Sequence, residues 1–193
     1  MLDPKSTSIR AASGAVYILI IVLACWWGAF GVMLLACLFG ALGIYEFRKM
    51  NFPDNPGGGG LAIYDVIGGL VLIFTGDILL FPAPLIIWIV WLLGRMVLTV
   101  FSKRDHPERE FAIDIMAQIY VSLPLAIMTV AAQFSEEVNS HLNYNSSSHC
   151  LPILAVFILI WINDTGALIF GSSFGRHKLY ERVSPKKSWE GFW

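Results

Sequence analysis

The chain has 193 residues, of which 56% are hydrophobic and only 14% are charged, and its net charge is −1 at pH 7. Soluble domains carry roughly 25% charged residues, so this composition excludes an ordinary soluble domain and indicates an integral membrane protein. A net charge this close to zero gives no electrostatic basis for nucleic-acid binding, and we expect none. The cysteines Cys25, Cys37 and Cys150 are too scattered for a metal site or a disulfide framework.

The first 45 residues predict two membrane-spanning helices joined at a tryptophan-rich turn. No charge occurs in the 35 positions of 11–45. One helix of that length would measure about 52 Å, whereas the hydrocarbon core of a bilayer is about 30 Å thick. Two spans, 11–27 and 28–45, fit better, with Trp26 and Trp27 at the membrane interface. The alternative is a cleaved signal peptide, although a convincing small-residue cleavage site is missing.

Four further apolar segments predict the remaining helices. They cover residues 62–80, 85–101, 111–134 and 151–171. Together with the first two segments they predict an all-α fold, a polytopic transmembrane helix bundle in which about six spans are present. We expect residues 1–193 to form a single transmembrane domain, with a cytoplasmic basic loop at 172–190.

Basic residues are confined to one side of the predicted bundle. Twelve of the thirteen lysines and arginines lie in the segments on that side, and the other, Arg95, lies inside the fourth span. Cytoplasmic segments of membrane proteins are enriched in lysine and arginine. We therefore expect a multi-pass protein of the cell (inner) membrane with its N-terminus in the cytoplasm.

Ionisable residues inside the predicted spans are candidates for function, because a charge at mid-helix costs about 2.5–3.5 kcal/mol. They are Asp65, Asp77, Arg95, Asp114 and Asp164. Asp65 and Asp114 are expected near cytoplasmic helix ends, where the helix dipole and water favour a carboxylate. Asp77 is expected at the opposite interface. Arg95 is expected either to extend to the interface or to pair with an aspartate.

Asp164 is the strongest candidate among these residues. It lies in the sequence NDTG within an apolar helix, where Asn163 and Thr165 add two oxygen-bearing side chains. Hard oxygen ligands close to a polyphosphate suit Mg²⁺. The alternative is a structural role for Asp164 as the partner of Arg95.

The loop after the sixth span concentrates residue types that bind phosphate. Its candidates are Arg176, His177, Lys178, Arg182, Ser184, Lys186, Lys187 and Ser188. Cationic side chains and hydroxyls around a turn that opens with Pro185 suit a nucleoside triphosphate. The alternative is that the topology rule places a basic loop on the cytoplasmic side of any membrane protein.

The segment NDTGALIFGSSFGRHKL, followed by SPKKSWEG, resembles the phosphatidate cytidylyltransferases, which are the bacterial CDP-diacylglycerol synthases. The resemblance is close from Asn163 to Gly191 and looser upstream. It implies transfer of the cytidylyl group of CTP to phosphatidate, which gives CDP-diacylglycerol and pyrophosphate and depends on Mg²⁺. It therefore implies CTP, phosphatidate and membrane lipids as partners, and it is compatible with a homodimer.

The resemblance also assigns roles to residues. It implies Asp164, Lys186 and Lys187 as catalytic residues, with Asp164 as the metal ligand. It implies substrate binding by a larger set of residues, and it implies that one of them, Glu190, also orients the loop. That set is Asn163, Thr165, Arg176, His177, Lys178, Ser184, Pro185, Ser188 and Glu190.

The sequence departs from the family pattern after Gly191. Further spans with a lysine–aspartate pair, a histidine with two glycines and a D-R-x-D motif are missing, so we expect a C-terminally truncated fragment that is inactive alone. DNA sequence beyond codon 193 tests this expectation. The alternatives are a related CTP-dependent enzyme acting on another lipid phosphate or a polyprenol, and a multi-pass transporter subunit. A transporter would carry a second broken helix, which is not evident.

Overall fold

A computed structural model of the protein describes residues 4–54, 61–74, 82–101, 106–141, 150–180, 182 and 184–192. Apart from one short two-stranded sheet, the elements of this part of the chain are helices, which confirms the predicted helix bundle. The chain divides into two compact units, Met1–Leu151 and Pro152–Trp193.

The first unit contains six α-helices and a π-helical segment within its described residues. They are α1 (Pro4–Trp26), α2 (Ala29–Asn51), α3 (Leu61–Phe74), α4 (Ala83–Val100), α5 (Pro107–Ala117), the π-helix (Gln118–Ser122) and α6 (Leu123–His141). By length and apolar composition, α2 and the continuous run Pro107–Asn139 could each cross a membrane. The apolar parts of α1, α3 and α4 are shorter. The number of spans therefore stays a prediction, and Asp77 lies outside the described residues.

The turn between α1 and α2 lies where the tryptophan pair predicts it. Gly28 has φ 85° and ψ −160°, a backbone conformation that is essentially restricted to glycine. The first N–H of α2, that of Ala29, donates to the Glu136 Oε1 atom of α6 at 2.7 Å. Because that donor has no partner within its own helix, the glutamate acts as a cap from a distant part of the chain.

The helical run that begins at Pro107 is longer than the predicted span 111–134. Proline is favoured at the first position of a helix, and Glu108 and Glu110 occupy the first turn, where the helix dipole favours acidic side chains. These signals extend the helix beyond its apolar part. The π-helical turn, in which the Leu123 N–H donates to the Gln118 carbonyl, lies just before Pro124, which lacks an N–H of its own.

A reciprocal contact between an aromatic pair joins α3 to α4. The Trp91 Nε1 atom donates to the Tyr64 carbonyl at 2.8 Å, and the Tyr64 hydroxyl donates to the Trp91 carbonyl at 3.0 Å. The two rings stack with 5.6 Å between their centroids. Gly68 faces the Trp91 ring so closely that a Cβ atom would overlap it. The packing of α3 on α4 therefore depends on one small residue and one large residue.

The second unit consists of a long apolar helix and a small hairpin. Its elements are α7 (Leu151–Phe174), which begins one residue before the unit, β1 (Lys178–Tyr180), β2 (Ser184–Ser188) and α8 (Trp189–Phe192). The strands pair antiparallel, with Lys178 opposite Ser188 and Tyr180 opposite Ser184. Within 172–190, predicted as a loop, the described residues thus contain the end of α7, two paired strands and the start of α8. Length and apolar composition make α7 a further candidate membrane span.

Candidate functional site

Asp164 lies near the middle of α7. It is 13 residues beyond Leu151 and ten residues before Phe174, which corresponds to about 20 Å and 15 Å along the helix axis. The side chains of Asn163, Asp164 and Thr165 are all exposed. The helix thus presents three consecutive polar side chains in an otherwise apolar stretch.

The described basic side chains of the hairpin are also exposed. Arg176, Lys178, Arg182 and Lys187 are open to solvent, and Ser184 is half-buried. Pro185 and Lys186 lie in β2, with their side chains outside the described part of the structure. The second unit therefore collects several of the predicted phosphate-binding groups on one short two-stranded sheet.

His177 and Glu190 close the open end of this hairpin. The Glu190 carboxylate accepts the His177 backbone N–H at 3.2 Å and 3.3 Å, and its Oε1 atom lies 2.7 Å from the His177 Nδ1 atom. The Trp189 N–H donates to the His177 carbonyl at 2.9 Å. Hydrogen bonds from its own backbone N–H and from His177 lower the pKa of Glu190 to about 2. Two residues predicted to bind substrate are therefore bonded to each other.

Close backbone packing holds the end of the hairpin against α7. A Cβ atom on Gly191 would lie 2.7 Å from the Ala167 carbonyl oxygen and 2.9 Å from the Gly171 Cα atom, so only glycine fits there without a shift. Ala167 is three residues after Asp164, about 4.5 Å further along the helix. The residue that ends SPKKSWEG therefore packs one helical turn from Asp164.

Ser188 lies inside this packing rather than on the surface. It is 7% exposed, and its Oγ atom has no hydrogen-bond partner among the residues that the structure describes. A Cβ atom on Gly175 would lie 2.6 Å from this Oγ atom, so the hydroxyl faces the end of α7. The role of Ser188 as a phosphate ligand stays a prediction.

The first unit contains a cluster of buried charges that sequence reasoning did not assemble. We define the buried charge cluster as Arg48, Asp65, Arg95, Glu110 and Asp114, all between 0% and 6% exposed. Arg48 donates to Asp65 Oδ2 at 2.7 Å and to Glu110 Oε1 at 2.8 Å, and it also binds Asp114. Arg95 donates to Asp65 Oδ1 at 3.1 Å and also binds Asp114. Two arginines, from α2 and α4, thus bridge three carboxylates from α3 and α5.

The buried charge cluster corrects two expectations and settles a third. Contrary to expectation, Asp65 and Asp114 are not open to water but fully buried in the bundle against arginines. The pairing of Arg95 with an aspartate is confirmed, with Asp65 and Asp114 as its partners. Arg48 was predicted only as a cytoplasmic basic residue. One signal in the sequence was missed. The residues of the buried charge cluster all lie towards the cytoplasmic ends of consecutive predicted helices, so a helix bundle brings them to the same depth.

Clusters of metal-binding side chains are absent from the described part of the chain. No group of three or more histidine, cysteine, aspartate or glutamate side chains there could hold a metal ion. The exposed side-chain oxygens of Asn163, Asp164 and Thr165 are hard ligands of the kind that Mg²⁺ takes when water and phosphate complete its shell. The chemistry of this donor set fits a magnesium ion that is shared with a substrate, not one enclosed by the protein.

Comparison with known proteins relates this chain to one enzyme family. The sequence profile described as "Cytidylyltransferase family" matches residues 8–193. Proteins named "Phosphatidate cytidylyltransferase" from Staphylococcus aureus (strain COL) and Staphylococcus epidermidis (strain ATCC 12228 / FDA PCI 1200) are 34% and 35% identical to the chain over 94 residues. The alignments cover 49% of this chain but only 31% of either relative. No solved structure matches the chain significantly. Since the family profile matches nearly the whole sequence, the chain belongs to the cytidylyltransferase family.

Proposed function

We propose that the protein transfers the cytidylyl group of CTP to phosphatidate and so produces CDP-diacylglycerol and pyrophosphate. One observation carries the proposal: SPKKSWEG packs back on α7 with Gly191 one turn from Asp164. A carboxylate and a lysine-bearing hairpin on the same unit can serve a single polyphosphate. The names of the staphylococcal relatives, which share about a third of their aligned residues with the chain, point to the same reaction.

The reaction needs no nucleophilic side chain. A phosphate oxygen of phosphatidate attacks the α-phosphorus of CTP, a new P–O bond forms, and the bond from that phosphorus to the bridging oxygen of the β-phosphate breaks. The electron pair of that bond leaves with pyrophosphate. Negative charge accumulates on the leaving oxygens, where Lys186 and Lys187 would stabilise it. The other contribution of the protein is to hold the two substrates in line.

Mg²⁺ is proposed as the cofactor, held by Asp164 together with the phosphate oxygens of the nucleotide. Bound there, it would neutralise triphosphate charge and orient the leaving group. Asn163 and Thr165 lie beside Asp164 and would hydrogen-bond to the nucleotide or to metal-bound water. Arg176 and Lys178, both exposed, would bind phosphate oxygens from the other side of the hairpin.

The activity assay uses membranes from cells that express the full open reading frame of the gene, supplied with radiolabelled CTP and phosphatidate. We expect labelled CDP-diacylglycerol from the wild type, and a loss of at least about 100-fold in Asp164→Asn and Lys187→Ala. The matched control is Asp54→Asn, which changes an exposed carboxylate of the first unit and should keep full activity. Full turnover by Asp164→Asn would exclude Asp164 from the site, and product only with another lipid phosphate would refute phosphatidate as the acceptor.

The proposed orientation places the hairpin and the N-terminus on the cytoplasmic side of the inner membrane. Trp27, 67% exposed at the α1–α2 turn, would then face the opposite side. In a cysteine-free background, an impermeant thiol reagent added to intact cells should label Trp27→Cys. It should label Lys178→Cys only after the membrane is permeabilised. The reverse pattern would invert the topology.

A further inference from the structure

We propose that His177 and Glu190 form a latch that positions the lysine hairpin for cytidylyl transfer and that neither residue binds the nucleotide or the metal. This inference rests on the proposed function and changes the role of two residues within it. Glu190 thereby becomes a positioning residue that acts through Lys186 and Lys187.

The position of the latch in the chain fits this role. His177 directly precedes β1, and Glu190 follows β2 by two residues. The Glu190 carboxylate accepts two contacts from the His177 N–H, at 3.2 Å and 3.3 Å, and one from the ring, at 2.7 Å. The Trp189 N–H returns a bond to the His177 carbonyl at 2.9 Å. The strands are thus tied together where they leave the sheet.

The Glu190 carboxylate is occupied by these contacts. Both of its oxygens contact the His177 backbone N–H, and Oε1 also contacts the His177 ring; charge-assisted bonds to a carboxylate are stronger than neutral ones. A magnesium ion would compete with donors that are already in place. The geometry favours a carboxylate that organises the backbone over one that serves as a ligand.

The latch also fixes where the lysines lie relative to Asp164. Lys187 immediately precedes Ser188, which pairs with Lys178 across the sheet. Gly191 immediately follows Glu190 and packs against Ala167, one turn from Asp164. Opening the latch would release the strand that carries the lysines from the helix that carries the aspartate. A displacement of about 1 Å at such a site can reduce turnover about 100-fold.

Kinetics of four variants separate a positioning role from a ligand role. Glu190→Ala should lower kcat by about 10- to 100-fold. Glu190→Gln keeps an acceptor oxygen but loses the charge that strengthens the bonds, so its kcat should fall between those of the wild type and Glu190→Ala. His177→Ala should be intermediate because its backbone N–H remains. The double variant His177→Ala/Glu190→Ala should be no slower than Glu190→Ala, because the two residues act as one unit. Glu190→Gln as slow as Glu190→Ala, or with a tenfold higher Mg²⁺ requirement, would overturn the proposal.

Limited trypsin digestion tests the latch independently of cytidylyl transfer. Trypsin cleaves after Lys186 and Lys187, and Glu190→Ala should accelerate this cleavage at least about tenfold, whereas the acceleration in Glu190→Gln should be smaller. The matched control removes another exposed histidine–glutamate pair, His106 and Glu108, whose nearest atoms lie 3.3 Å apart, and it should change neither readout. Unchanged cleavage in Glu190→Ala would refute the latch. If the wild type makes no product, the proposed function fails, and the digestion still decides whether the latch exists.

Discussion

Replacing Arg48 by methionine probes the buried charge cluster most directly. Methionine keeps much of the length of the side chain but removes the donors to Asp65, Glu110 and Asp114. The variant leaves one arginine instead of two facing the three carboxylates, so the formal net charge of the cluster changes from −1 to −2. Removing one partner of a buried ion pair costs about 3–5 kcal/mol, because the remaining charge stays desolvated. We expect a loss of this size in the free energy of unfolding.

Unfolding in detergent micelles, followed by circular dichroism against temperature or denaturant, measures this effect. The control is Lys49→Met, which removes the neighbouring positive charge, 55% exposed and 3.5 Å from Glu46. A surface pair of this kind is worth about 0–1 kcal/mol. Arg48→Met/Glu110→Gln restores the original net charge and should recover part of the stability. If the free energies of unfolding of Arg48→Met and Lys49→Met differed by less than about 1 kcal/mol, the reasoning about the cluster would be wrong.

Three further changes test other contacts. Gly191→Ala places a Cβ atom 2.7 Å from the Ala167 carbonyl, so cleavage of the hairpin by trypsin should accelerate and activity should fall. Glu136→Ala removes the acceptor of the Ala29 N–H and should lower the free energy of unfolding by about 1 kcal/mol. Because the pKa of Glu190 lies at about 2, below its ordinary value of 4.5, its stabilisation of the hairpin should be complete above pH 4.5. The part of it that depends on the negative charge should be lost as the pH falls towards 2, and hydrogen exchange, corrected for the intrinsic rate, measures that loss.

Each of these changes has a matched control. Gly14→Ala adds the same methyl group at a helical glycine where the new Cβ atom would meet nothing within 4 Å beyond its own helix backbone. It should alter neither digestion nor activity. Glu136→Gln keeps an acceptor for the helix cap and should stay close to the wild type. The pH dependence should disappear in Glu190→Gln, which has no carboxyl group to protonate. An equal pH response in that variant would assign the effect to another group.

The helices could be predicted because their signal is local. Apolar runs of sufficient length separate the spans, and the tryptophan pair at Trp26 marks the α1–α2 turn. Helix ends were predicted less well, since Pro107 and the glutamates after it extend α5 beyond its apolar part. Capping and dipole effects of this kind leave no trace in a hydropathy pattern.

The buried charge cluster and the latch depend on contacts between distant positions. Arg48 and Asp114 are 66 residues apart, and neither has a neighbour in sequence that predicts the other. The sequence of Arg176 to Gly191 pointed to phosphate binding but not to the hairpin that His177 and Glu190 close. A single sequence shows which residue types are present, whereas the packing of helices decides which of them meet.

The buried charge cluster also bears on how the chain can be assembled in a bilayer. Arg48 and Asp65 are 17 residues apart on consecutive helices, and Arg95 and Asp114 are 19 residues apart on the next two. As the polypeptide leaves the ribosome, each of these two helix pairs contributes one arginine and one aspartate of the buried charge cluster, and the two charges can neutralise each other during insertion. The contacts of Arg48 with Asp114 and of Arg95 with Asp65 then add a second aspartate to each arginine and join the two helix pairs. Two helix pairs that insert one after the other would thereby become a single bundle.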